Sequence, residues 1–97
     1  MHARVTTLEI QLGKAGEVIH IFRDMVVPAA KEVKGFQGAW LLTDPAANKI
    51  ISVTLWETEA DLAAGETSGF YREQVGKVAG LVAAPPVREA YEVSVQV

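Results

Sequence analysis

The spacing of hydrophobic positions changes repeatedly along this chain, and each change marks a new element. From Arg4 to Leu12, Leu8, Ile10 and Leu12 fall on one side while Val5, Thr7, Glu9 and Gln11 fall on the other. That alternation predicts a half-buried strand, which Gly13 ends. Between Ala15 and Lys34 the period lengthens: Val18, Phe22, Met25, Ala29 and Val33 advance by three or four residues, and Ile19, Ile21 and Val26 widen the stripe. This is the pattern of an amphipathic helix. Pro28 removes a backbone donor inside it and predicts a kink, and Gly35 suits a left-handed cap at its end.

Two further alternating runs follow, Ala39 to Thr43 and Lys49 to Glu57, joined by Asp44-Pro45-Ala46-Ala47-Asn48. Asp-Pro opens turns and Asn accepts the left-handed region, so the pair predicts a hairpin. Pairing outward from the turn puts Trp40, Leu42, Ile51, Val53 and Leu55 on one face. Ala39, Leu41, Ile50, Ser52, Thr54 and Trp56 then share the other, although a slip of one residue would exchange the partners. Thr58 is placed to cap a second helical region with Asp61 three residues on. Gly65 and Gly69 predict an interruption there, with Ser68 as a second cap. Tyr71, Val75, Val78 and Val82 resume the apolar stripe, with Glu73 and Lys77 paired on the far side. After Pro85-Pro86, the run Val87 to Val97 alternates once more.

The order is β-α-β-β-α-β, an α+β, ferredoxin-like antiparallel sheet formed by a single domain over residues 1–97. Helices can cover only one face of such a sheet, yet both faces of the middle strands are apolar. The second face predicts a homodimer joined through its sheets.

Composition narrows the chemistry. Half the residues are hydrophobic (49%) and 22% are charged, as in a folded soluble chain. A net charge of −3 with no Lys/Arg stripe gives no electrostatic footprint for nucleic acid. There is no cysteine, which removes disulfides, thiolate nucleophiles and cysteine-ligated metals together. His2 and His20 stand apart without a carboxylate cluster, so no metal site is expected. No apolar run approaches a membrane span, and the expected setting is the cytoplasm.

At Gly35-Phe36-Gln37-Gly38 and at Ser52-Val53-Thr54-Leu55-Trp56-Glu57 the chain resembles the antibiotic biosynthesis monooxygenase superfamily, whose members are dimeric α+β barrels of ferredoxin-like subunits. The resemblance spans nearly the whole chain. It implies a cofactor-independent oxygenase, with no cofactor or metal. In quinone-forming members an Asn four positions before the strand's Trp and a Tyr six after it are implicated. Trp56 matches, but the two other positions hold Ser52 and Leu62. In haem-degrading members a His follows the Trp by ten positions, where this chain has Glu66, so the resemblance argues against haem degradation.

The expected site follows from these residues. Trp56 is the aromatic wall or hydrogen-bond donor, though a strand-end tryptophan also serves as core filling. Ser52 and Thr54 lie on its face with Leu41, a mixed lining of the kind that orients a ligand. Tyr71 on the second helix, and Phe22 and Met25 on the first, supply the opposite wall. His20 and Asp24 fall on the far side of the first helix and are expected at the surface. Trp56 and Ser52 are therefore the expected catalytic pair, with Thr54, Tyr71, Phe22, Met25 and Leu41 as substrate contacts. The expected activity is monooxygenation of a small aromatic or polyketide-type substrate. The alternatives are a non-catalytic homodimer that binds a small hydrophobic metabolite and a purely structural dimer.

Overall fold

A computed structural model describes residues 1–97. Four strands, β1 (His2–Glu9), β2 (Phe36–Asp44), β3 (Lys49–Trp56) and β4 (Val87–Glu92), form one sheet in the order β2-β3-β1-β4. Every neighbouring pair is antiparallel. The helices are α1 (Ala15–Ile21), α2 (Val27–Lys31), α3 (Glu59–Thr67) and α4 (Phe70–Gly76). Alternation thus yields the α+β, ferredoxin-like sheet it predicts. No helix is long and apolar enough to cross a membrane.

The hairpin register fixes which residues meet. Trp40 pairs with Val53 and Leu42 with Ile51 on one face, while Leu41 pairs with Ser52 and Ala39 with Thr54 on the other. The turn closes as one 3-10 turn, Pro45–Ala47, with Asn48 left-handed at φ 50°. Opposite the turn the ladder slips between Phe36 and Gly38, so the Gly35–Gly38 segment enters β2 through a bulge.

The first helical region departs from its predicted phase. It is regular only to Ile21, then widens into a π turn over Phe22–Val26 before α2 resumes. The Val27 N–H donates to the Phe22 carbonyl, five residues back. Pro28 explains the site of the defect. It has no N–H to donate and its ring crowds the preceding turn, so the strain is relieved one turn upstream instead of in a sharp kink. The extra residue in that turn rotates all that follows. Val26 and Ala30 replace Met25 and Ala29 on the inward stripe: Ala30 is 2% exposed and Met25 48%.

Smaller departures have similarly local causes. Leu12 lies past the end of β1 and is exposed. β4 stops at Glu92 because its partner β1 begins at His2, and the last sheet-like bond runs from the Val93 N–H to the Met1 carbonyl. Val95 and Val97 are exposed. Lys77 bonds the Gln74 side chain at 2.8 Å and forms no ion pair with Glu73. The second helical region breaks at Gly69, φ +83°, and runs unbroken through Gly65.

Leu8, Ile10, Val18, Ile50 and Val78 form the closed end of the core between helices and sheet. On the other face of the sheet only Ala3 and Leu55 are buried. Trp40 and Leu42 are each about half exposed, as is Tyr91 on β4. An apolar surface on this scale is costly to leave in water.

Candidate functional site

Beyond the closed end of the core, the inner sheet face and the helices enclose a half-open cavity of about 80 Å³. β3 supplies its floor because Ser52, Thr54 and Trp56 alternate onto the inner face. β2 adds Leu41, and the first helical region adds Val18, Phe22, Val26 and Ala30. Tyr71 enters from α4. Of the residues expected at the site, Trp56, Ser52, Thr54, Tyr71, Phe22 and Leu41 therefore share one cavity. Met25 does not, because the π turn carries it to the surface.

Trp56 is only 3% exposed and is held from three directions. Phe36 meets its ring edge-on at 5.7 Å and Phe70 at 6.4 Å, favourable geometries for aromatic pairs. Its indole N–H donates to Thr54 Oγ1 at 3.0 Å. The donor is thereby spent within the chain, so Trp56 offers an incoming molecule an apolar ring face. Thr54 acts through Trp56, as the acceptor that locks the indole. Ser52 differs, since its hydroxyl has no hydrogen bond within the chain although it lines the cavity.

The polar end of the cavity centres on Arg4, which lies outside the expected set. Arg4 is 6% exposed, beneath α3 and α4. Its Nη2 meets Glu66 Oε1 at 2.7 Å and the Leu62 carbonyl at 3.4 Å. A buried guanidinium needs such a partner, and Glu66 on α3 supplies it. The Arg4 guanidinium also lies 4.6 Å from the centre of the Tyr71 ring. Arg88 on β4 flanks the same ring at 5.2 Å and reaches the other Glu66 oxygen at 3.9 Å. The Tyr71 hydroxyl stands 3.4 Å from Thr6 Oγ1. Hydrogen bonding from Arg4 above all holds the Glu66 carboxyl below its ordinary range. Burial opposes that shift, and the Arg4 and Arg88 charges add to it.

Arg4, Thr6, Gln74, Phe70 and Leu62 are thus cavity residues outside the expected set. A signal for the first two existed. Arg4 and Thr6 have the parity of Leu8, so a charge lay on the inward phase of β1. Phe70 and Gln74 are set by the break at Gly69, whose place in the fold the stripe alone does not fix.

Elsewhere the polar groups are surface features. His20 Nδ1 pairs with Asp24 Oδ2 at 2.9 Å, with both side chains exposed. Arg23 bonds both Asp24 oxygens at 3.1 Å, and that bonding lowers the Asp24 carboxyl. Nowhere do three His, Asp or Glu side chains gather as a metal-binding group.

The shared architecture extends to known proteins. SnoaB, a cofactor-independent oxygenase from Streptomyces nogalater, has a TM-score of 0.79 at 10% identity, covering 98% of this chain and 94% of its own. The ActVA-Orf6 monooxygenase of Streptomyces coelicolor, solved with nanaomycin D, has a TM-score of 0.74 at 17% identity, with 99% and 89% covered. A Nitrosomonas europaea protein of unknown function has a TM-score of 0.77 at 19% identity, with 98% and 90% covered. At these identities the likeness is one of fold. An uncharacterized protein of Mycobacterium tuberculosis is 38% identical over 58 residues, or 60% of this chain. That match spans a quarter (25%) of the longer protein. The family model for antibiotic biosynthesis monooxygenase matches residues 1–75, a stretch that includes the Arg4–Glu66 pair, the β3 floor and Tyr71. The chain belongs to the antibiotic biosynthesis monooxygenase family.

Proposed function

We propose that this protein is a cofactor-independent monooxygenase acting on a small aromatic substrate held against Trp56. The observation that carries the reading is the cavity itself. An indole ring fixed by Phe36, Phe70 and Thr54 forms an apolar wall, and the unengaged Ser52 hydroxyl faces the same space. Such a site orients a flat ring and excludes water, which is what this chemistry asks of a protein. A phenolate gives one electron to O₂. Recombination of the resulting pair forms a carbon–oxygen bond, and loss of water leaves a carbonyl. Overall a phenol and O₂ become a quinone and water, so the substrate itself is the reductant. Ser52 and Trp56 orient the ring, while Tyr71, Phe22 and Leu41 bound it.

The sheet face of Trp40, Leu42 and Val53 supports a homodimer assembled through that face, as the apolar core of a stable interface requires. The cysteine-free chain suits a reducing cytoplasm. A second reading, a dimer that binds a small hydrophobic metabolite without turnover, is favoured by Leu62 and Ser52. They stand where quinone-forming relatives carry Tyr and Asn.

Oxygen consumption separates the two. A panel of phenols is expected to give O₂ uptake that falls in Trp56→Phe. Binding without uptake above that variant selects the second reading.

A further inference from the structure

We infer that Arg4 is the anchor for an oxyanion on the ligand, so that the cavity selects a single-ring aromatic phenolate or carboxylate over its neutral counterpart. The inference rests on the cavity being the ligand site proposed above, and it names what that site recognises.

Three observations converge. Arg4 is the one formally charged side chain lining the cavity; the other polar lining residues are Thr6, Ser52, Thr54, Tyr71 and Gln74. It is more than nine-tenths buried, yet both of its acceptors within the chain are reached through Nη2. The donors on Nε and Nη1 are left without an acceptor. No side-chain nitrogen is both sealed from solvent and unpartnered, so these two nitrogens are reachable, and a guanidinium with spare donors takes an oxygen acceptor, preferably an ionised one. Glu66 does not saturate this corner, since it is shared between Arg4 at 2.7 Å and the half-exposed Arg88 at 3.9 Å.

The lining also carries no histidine and no carboxylate. A phenol bound here finds no side-chain base, so the site gains by capturing the ionised form, which Arg4 then stabilises. Size sets the other limit. At about 80 Å³ the cavity is roughly half the ~150 Å³ that encloses a benzene molecule. One ring is then only partly enclosed, its remainder lying at the open side, whereas fused rings require the helices to move apart.

Isothermal titration of the intact protein at neutral pH tests this with two matched pairs: benzoate against benzyl alcohol, and 4-nitrophenolate against nitrobenzene. At least one anion is expected to bind about tenfold or more tighter than its neutral partner, the scale of a charged hydrogen bond. A preference in the first pair assigns a carboxylate, and in the second a phenolate. The double variant Arg4→Gln with Glu66→Gln removes both charges together and is expected to abolish the preference. Equal binding of anion and neutral partner, no binding of any probe, or a preference that survives the double variant overturns the inference. Should the variant fail to fold, the wild-type pairs decide alone. Anion preference without O₂ uptake sinks the oxygenase and leaves the anchor standing; uptake without anion preference does the reverse.

Discussion

Replacing Gly35 by alanine tests how the entry to β2 positions the aromatic wall. Gly35 has φ +87°, and its carbonyl accepts from the Glu57 N–H at 2.7 Å, tying the end of the first helical region to the end of β3. An added Cβ would lie 2.5 Å from Asp61 Cγ and 2.6 Å from Asp61 Cβ, inside contact distance. Two costs follow. The left-handed backbone costs a non-glycine residue about 1–2 kcal/mol. Relieving the overlap by moving α3 adds about 1–3 kcal/mol, the usual penalty of overpacking. Gly69 provides the control, because it has φ +83° but nothing within 4 Å of its would-be Cβ. Gly69→Ala therefore isolates the backbone cost. Urea unfolding of both variants, with the slope checked for constancy, is expected to show Gly35→Ala less stable by the overlap cost, about 1–3 kcal/mol. In a chain of this length each kcal/mol lowers Tm by about 4–8 °C, so the gap is readable by melting as well. Equal losses in the two variants would refute the reasoning, since Asp61 would then be yielding freely and Gly35 would matter only for its dihedral angle.

Other expected outcomes follow from the same geometry. Met25→Gln should leave titrated ligand affinity unchanged, whereas Val26→Gln should lower it several-fold; equal effects would mean that the π turn does not set the inward stripe. The Glu66 carboxyl is held below its ordinary value of 4.5, so its contribution to stability is complete above that value and drains as pH falls through the lower, folded one. Glu66→Gln should consequently be less stable than the parent at neutral pH and lose stability less steeply on acidification, measured by urea unfolding across pH. Val53→Asp on the sheet face of Trp40 and Leu42 should yield monomer or insoluble protein on size-exclusion chromatography; an intact dimer would remove that face from the interface.

Much of the scaffold could be read in the chain because period-two and helical spacings are local signals. The face shared by Leu41, Ser52, Thr54 and Trp56 followed from alternation, and hairpin pairing brought those residues together as expected. The cap at Thr58, whose hydroxyl accepts from the Asp61 N–H at 3.0 Å, was equally local. A helix of constant pitch across Pro28 puts Met25 on the inward stripe, and the π turn over Phe22–Val26 moves it to the surface. A one-residue insertion in a turn leaves no mark on spacing. Parity with Leu8 puts Arg4 on the inward phase of β1, but its burial depends on Glu66, far along the chain, and a window of neighbours does not show that pairing.

The sequence by itself determined the order of elements, the alternation that groups Ser52, Thr54 and Trp56 on one face of β3, and the exclusion of cysteine chemistry, since each depends on residue identity and local spacing; which face of β3 meets the helices it did not. The tertiary structure decided where the polar groups go. It spent the Trp56 N–H on Thr54, buried Arg4 against Glu66 and stacked it on Tyr71, and left Ser52 unengaged. Those outcomes depend on which distant side chains meet once the sheet closes against the helices. They are settled by competition for hydrogen-bond partners in a confined space, and that competition begins only when the chain has folded.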